Sequence, residues 1–419
     1  MPRRILYIKY GSQSGVTDAV LQRLLAAGHD VRVFAPLDGF LYKRRLGRFQ
    51  VPNVAPGPIV ATAAAMARFR RHWKPWYVHT TVAFDRLTAR CERAVAAERP
   101  DLVLQAGVLF APGARGRAPY YLYCDHTRAL HEAYAPLPGL DPPMPFEAAW
   151  RARETAVYRG AEAIFVMSEH VKRSLAETYR IAPERVHVVG AGPNVQPRVP
   201  SAVPRQRAFL FVGQNFAPKG GPEMLEAFAG VRARHPESEL WMAGGKQPER
   251  APPGVRLLGR LPSAEVANLY ARAFAFVLPT LREAFGLAYL EAMSYGLPCI
   301  GSRIEAIPEI IAEGETGLLV PPRDPAELTA AMLNLLDRPE RALAMGEAGR
   351  RRVAERFGWD RAVRTMLEVM TGAGPEAAEQ QKGTAFTGGP LREALDDPPD
   401  ATRSRGGERG EAAARARAG

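Results

Sequence analysis

The chain has 419 residues, 47% apolar and 24% charged, which is room and composition for two soluble domains of ordinary size. Three cysteines (Cys91, Cys124, Cys299) are too few and too scattered for a disulfide frame or a zinc site, and no apolar run is long enough to span a bilayer. The formal net charge is +12, and with no legible nucleic-acid module the excess points to an anionic substrate or surface.

Met1 to Arg4 lead into strand-like ILYIKY rather than a signal peptide, which with the sparse cysteines reads as a reducing, cytoplasmic compartment. Ile5 to Tyr10 is a short strand, Gly11 to Gly15 a glycine-containing turn, and Val16 to Ala27 a helix that Gly28 ends before a second strand, HDVRVFAP. This is the opening of a Rossmann-type half. The glycine spacing is not the dinucleotide fingerprint, so no nicotinamide cofactor is expected.

Residues 39–84 interrupt the rhythm with eight basic side chains (Lys43, Arg44, Arg45, Arg48, Arg68, Arg70, Arg71, Lys74) and no acid. A helix over Ala61 to Trp73 carries Arg68, Arg70 and Arg71 near Phe69, Trp73 and Trp76. Such basic, aromatic helices lie on membranes or acidic partners, and the alternative is a solvated helix whose rings pack inward.

Alternation resumes with helix Ala83 to Glu98, strand Asp101 to Gln105, and strand Tyr120 to Cys124 running into Asp125 and His126. A long helix, Phe146 to Arg159, precedes a buried strand ending at Ser168, which caps the next helix. The Gly/Pro-rich stretch 190–204 is the clearest linker, dividing a first half, 1–189, from a second, 205–371. In the second half, strand Phe209 to Val212 ends at Gly213, and Lys219 stands beside Gly220 and Gly221, an arrangement that suits a diphosphate. Leu240 to Gly244 and Val255 to Leu258 are further strands. After the stretch described next come strand Cys299 to Ser302, helix Pro325 to Leu336, and a last helix from Trp359 to about Met370 that packs back toward the first half. From 372 to 419 the aperiodic composition reads as a disordered tail.

Phe276 to Pro298 is the stretch with the most chemistry. An apolar run ends at Pro279, Glu283 follows, and Gly286 opens a helix that closes with Gly296 and Pro298. The leading amides of such a helix, at Leu287 and Ala288, have no intrahelical partner, and the dipole is positive there. A diphosphate is the natural anion for that end. Glu291, one turn on and about 6 Å along the axis, has the reach for ribose hydroxyls. Glu283 precedes the helix and points at whatever hangs from the outer phosphate, a sugar being the natural candidate.

Two glutamates with seven residues between, set in LPT-REAFGL-LEAMSYGLP-I, resemble a retaining glycosyltransferase of the family 4 (glycosyl transferases group 1) type. That resemblance runs from about Ile5 to about Val369. It implies an α/β, GT-B architecture of two Rossmann-like domains facing across a cleft, with a nucleotide-sugar donor on the second and the acceptor on the first. It implies that Glu283 contacts donor-sugar hydroxyls and Glu291 the ribose, and that a polar residue after Cys124, either Asp125 or His126, reaches the sugar. Gly15 either touches the donor or serves only its turn. Gly259-Arg260-Leu261 falls where the family holds the base. The sequence departs from the pattern at Gln214, where the family usually has arginine, and at Ile304-Glu305, which stand where it has paired glycines. A neutral hydrogen bond is worth about 0.5–1.5 kcal/mol against about 1.5–3 for a charged one, so one phosphate contact is weaker. Glu309 and Gly317 fit the pattern.

No D-x-D follows a strand, so no metal or other cofactor is expected, and Lys219 with the helix amides neutralises the diphosphate. Retention is implied by the resemblance alone. The expected function is transfer of a sugar to an acceptor hydroxyl, in cell-envelope glycolipid or polysaccharide synthesis. The acceptor is lipid-linked if the basic segment docks on an anionic inner membrane face; the competing expectation is an anionic soluble acceptor gripped by the same arginines. The alternatives are a sugar-nucleotide epimerase or hydrolase of the same fold, and a non-catalytic scaffold. Intact Glu283, Glu291 and Lys219 argue against both.

Overall fold

The computed structural model describes residues 2–372 apart from 12, 47–48, 71–72, 75, 135–146, 196, 198–204 and 246. Arg48, Arg71, most of the expected linker after Val195 and the expected tail beyond Gly372 therefore lie outside the described residues.

The first half contributes β1 (Arg4–Ile8) and β2 (Asp30–Phe34), a hairpin of β3 (Lys43–Leu46) and β4 (Phe49–Pro52), then β5 (Leu102–Ala106), β6 (Tyr120–Cys124), β7 (Ala163–Val166) and β8 (Val186–Val188). Six of these form a parallel sheet of order β2-β1-β5-β6-β7-β8, and β3 pairs antiparallel with β4 apart from it. The second half contributes β9 (Ala208–Val212), β10 (Glu239–Ala243), β11 (Val255–Gly259), β12 (Ala275–Leu278), β13 (Cys299–Ser302) and β14 (Gly317–Val320). They form a second parallel sheet of order β11-β10-β9-β12-β13-β14, the doubly wound arrangement. Strands such as LVLQA, YYLYC and AFVL are buried on both faces, because helices cover each side of a parallel sheet.

The halves touch. The last helix, Trp359–Thr371, lies along Val16–Ala26, with Arg23 Nε 2.7 Å from Asp360 Oδ1 and the Tyr121 hydroxyl donating to Met370 O. Ser168 caps Glu169–Tyr179 as expected, its Oγ accepting from Val171 N at 3.3 Å. All three cysteines are free and buried.

The basic segment differs from its expected form. Its helix is Pro56–Phe69, starting with proline in the first turn and stopping before Trp73, and the hairpin precedes it. Phe69 and Tyr77 are buried, and Trp73 and Trp76 pack against the first-half core. The rings pack inward because the helix presents only Pro58, Ala61, Ala65 and Phe69 to the core, and the aromatics fill the space those small residues leave. Its outward side carries Ile59, Val60 and Met66, at 50%, 40% and 51% exposure. Among the described residues no helix is long and apolar enough to cross a membrane.

Candidate active site

In an open parallel sheet, ligands bind beyond the carboxyl ends of the strands where the winding reverses. In the second sheet that point lies between β9 and β12. The loop after β9 carries Gly213, Gln214 and Lys219, and the loop after β12 carries Glu283 and ends at Gly286. The two are stitched together, Leu281 N donating to Pro218 O at 2.8 Å and Thr280 Oγ1 at 3.2 Å. Gly220 permits this approach: at φ 75°, a Cβ there would stand 1.9 Å from Pro279 O. The result is an ion pair, Lys219 Nζ to Glu283 Oε2 at 2.6 Å, with both side chains largely shielded.

Beside that pair begins the helix Leu287–Ser294. Its N-cap is Gly286 at φ 119°, and no side chain caps it, so Leu287 and Ala288 lead a helix end open to an anion. Glu291 lies one turn further. The Tyr270 hydroxyl donates to its Oε2 at 3.1 Å, and the backbone N–H groups of Asn194 and Val195 also point to it. Burial pushes its carboxyl up to about 7. Asn194 connects this end to the first half, because its side chain packs on Gly15 and accepts from Trp359 Nε1 at 3.2 Å.

Gln214 and Arg260 are exposed at the rim, and Arg260 Nε passes beside Gly245. Gly213 is bonded through its N–H to Ala243 O at 2.9 Å and packs on the Lys219 stem. The structure thus brings together Lys219, Glu283, Gly286, Leu287 and Ala288, with Glu291 and Gly15 at one side, and leaves Gln214 and Arg260 toward solvent.

From the first half, a cavity of about 230 Å³ opens onto the same loops. Tyr10, Asp125, His126, Arg128, His131 and Tyr134 line it, and Ala284 closes it from the second half. Asp125 and His126 both reach it, but His126 is the one that meets the opposite half. Its Nε2 lies 3.5 Å from Glu305 Oε1 and 3.0 Å from the Tyr134 hydroxyl. The other oxygen of Glu305 accepts from Glu283 N at 2.7 Å. Burial, reinforced by the Arg128 charge, pushes His131 down to about 4, so it is neutral at pH 7. Beneath them Glu154 is 1% exposed; it accepts from the Tyr158 and Tyr179 hydroxyls, and burial raises its pKa. Glu309 also bridges the halves, its carboxylate accepting from Glu169 N and His170 N at 2.8 Å each, at the start of Glu169–Tyr179.

Tyr10, Arg128, His131, Tyr134 and Glu154 were not singled out in the sequence. For Arg128, His131 and Tyr134 the signal was the density of polar residues in DHTRALHEAY directly after an apolar strand; Tyr10 and Glu154 lie outside that stretch and had none. Among the described residues, no three of His, Cys, Asp and Glu gather closely enough to hold a metal ion.

Two family models match the chain. Glycosyltransferase Family 4 matches residues 14–196, and Glycosyl transferases group 1 matches residues 206–338. The chain is 30% identical over 274 residues to D-inositol 3-phosphate glycosyltransferase of Corynebacterium kroppenstedtii, covering 58% of this chain and 60% of that protein. It therefore spans about 60% of that curated relative's length. Sucrose-phosphate synthase from Thermosynechococcus elongatus superposes with a TM-score of 0.65 at 20% identity, over 90% of this chain and 100% of that one. HepE of Anabaena, solved in complex with UDP and glucose, gives 0.61 at 14% identity, over 88% and 99%. The fold is GT-B, and with one family model on each half the chain belongs to the group 1, family 4 glycosyltransferases.

Proposed function

We propose that this protein transfers a sugar from a nucleotide-sugar donor to an acceptor hydroxyl, with retention and without a metal. The observation that carries the reading is the Lys219–Glu283 pair at the open start of Leu287–Ser294, with Glu291 one turn beyond. These groups match a sugar diphosphate in order: amides and an ammonium for phosphate, one carboxylate for the sugar, another for ribose hydroxyls. The relatives named above support it, since one is named a glycosyltransferase and another was solved with UDP and glucose.

In the reaction, the acceptor oxygen bonds to the anomeric carbon as that carbon's bond to the outer phosphate breaks. The acceptor proton passes to the leaving phosphate oxygen, giving a glycoside and a nucleoside diphosphate. Negative charge grows on the phosphate and positive charge on the sugar. Lys219 and the amides of Leu287 and Ala288 stabilise the first, and the Glu283 carboxylate faces the second. Asp125 and His126, across the cavity, hold sugar or acceptor hydroxyls.

The acceptor is lipid-linked, and the enzyme works on an anionic membrane face. The aromatic rings of the basic segment are turned inward, so the contact is made by the outward apolar residues Ile59, Val60 and Met66, with Val54 at 67% exposure before the helix. Lys43, Arg70 and Lys74, all exposed, supply the charge, about 1 kcal/mol for each one near the surface. The test of the activity is a panel of nucleotide sugars, scored for nucleoside diphosphate release with and without lipid-linked acceptors. One donor giving acceptor-dependent release fits the proposal, and release from none contradicts it.

A further inference from the structure

Glu305 is an unusual residue for its position. Its backbone is left-handed at φ 49°, a conformation that favours glycine, and the resemblance has glycines at this point of the chain. The side chain is nevertheless only 11% exposed and turned into the site. One oxygen takes the Glu283 N–H at 2.7 Å, and the other faces His126 Nε2 at 3.5 Å, from the opposite half. Tyr134 closes the group, its hydroxyl 3.0 Å from His126 Nε2 and its ring 5.1 Å beneath the Arg282 guanidinium.

We propose that Glu305 is a positioning residue, one carboxylate that fixes the Glu283 loop and the His126 ring together about the donor sugar. The inference rests on the glycosyl-transfer reading and adds a residue which that reading does not use. Lys219 explains the need. It holds the Glu283 side chain now, but a bound diphosphate competes for the same ammonium. Once Lys219 turns to phosphate, the Glu283 carboxylate loses its cation. Glu305 grips the Glu283 backbone instead, and that grip survives donor binding. Because its second oxygen meets His126, the same contact sets the separation of the two halves at the sugar. A misplacement of about 1 Å is enough to cost about 10²-fold in rate.

The experiment compares wild type with Glu305→Gln and Glu305→Gly in the intact chain. It measures affinity for the nucleoside diphosphate, affinity for the nucleotide sugar, kcat and Tm. Glutamine keeps an oxygen for the Glu283 N–H but loses the charge toward His126, so kcat should fall about tenfold. Glycine loses both, so kcat should fall about 100-fold and most of the sugar's contribution to affinity should go with it. Diphosphate affinity should stay within about twofold in both, and the Tm of Glu305→Gly should stay close to wild type, because relief of the left-handed backbone at φ 49° offsets the lost bond to Glu283 N. Wild-type kcat in both variants overturns the inference. So does a loss of kcat matched by equal losses of diphosphate binding and Tm, which is the mark of a structural role. A wild-type protein that binds no nucleotide sugar overturns the transferase reading first and this inference with it.

Discussion

As the proposed ribose ligand, Glu291 sets stability against binding, and Glu291→Gln separates the two. In the folded protein burial raises its carboxyl from 4.5 to about 7, despite the hydrogen bonds from Tyr270, Asn194 and Val195. A group raised in the folded state supports folding fully below its unfolded value, and that support is lost as pH rises through the folded value. The window is therefore about pH 4.5 to 7, and across it the ionised carboxylate costs on the order of 3 kcal/mol. Glutamine cannot ionise and can still take a backbone N–H. Relative to wild type, Glu291→Gln should gain up to a few kcal/mol of stability between pH 5 and pH 8. Its donor affinity should move the opposite way. Ribose hydroxyls donate to a carboxylate, so wild-type binding should tighten as pH rises toward 8 and release a proton near pH 6, and the variant should do neither. Urea unfolding at pH 5 and pH 8, with donor titration in buffers of different ionisation enthalpy, measures both. A Glu291→Gln protein with the wild-type pH dependence of stability, or with unchanged donor affinity, refutes the argument.

Glu283→Gln should lower kcat by at least about tenfold while nucleoside diphosphate affinity holds within about twofold, because its proposed contact is to the sugar; equal losses of both would make it structural. Lys219→Met should weaken diphosphate binding by about 1.5–3 kcal/mol, the worth of a hydrogen bond to a charged group, as read by titration; wild-type affinity would remove Lys219 from the phosphate. EDTA should leave turnover unchanged, whereas activity lost to chelator and restored by Mg²⁺ would contradict neutralisation by Lys219 and amides. Vesicle co-sedimentation should require anionic lipid, fall with salt and weaken in Ile59→Ser/Met66→Ser; protein that stays in the supernatant at low salt would sink the membrane proposal.

The parts legible in the sequence are those whose cause is local. Strands such as Phe209 to Val212 and Ala275 to Leu278 are unbroken apolar runs, because both faces of a parallel sheet are covered. Glu283, Gly286 and Glu291 show in the sequence because one loop and one helix carry all three. The hairpin Lys43–Leu46 and Phe49–Pro52 escaped because KRRL has no apolar alternation. Pro56 and Pro58 look like breakers but occupy the first turn, where proline is tolerated. The helix Pro339–Arg356 hides its packed face in glycines: Gly346 lies so close to Gly296 that a Cβ would stand 2.1 Å from its carbonyl oxygen. The His126–Glu305 contact was invisible for another reason. It joins residues from the two halves, and nothing in either segment alone announces the other.

Everything proposed above depends on where the donor sits. The measurement that tests it most directly is a crystal structure with the nucleotide sugar selected by the panel. Phosphate oxygens should lie within about 3 Å of Lys219 Nζ and of the Leu287 or Ala288 amides, and ribose hydroxyls equally near Glu291. The sugar should lie between Glu283 and the cavity lined by Asp125 and His126. A donor bound elsewhere, or one whose phosphates touch neither Lys219 nor the start of that helix, would contradict it.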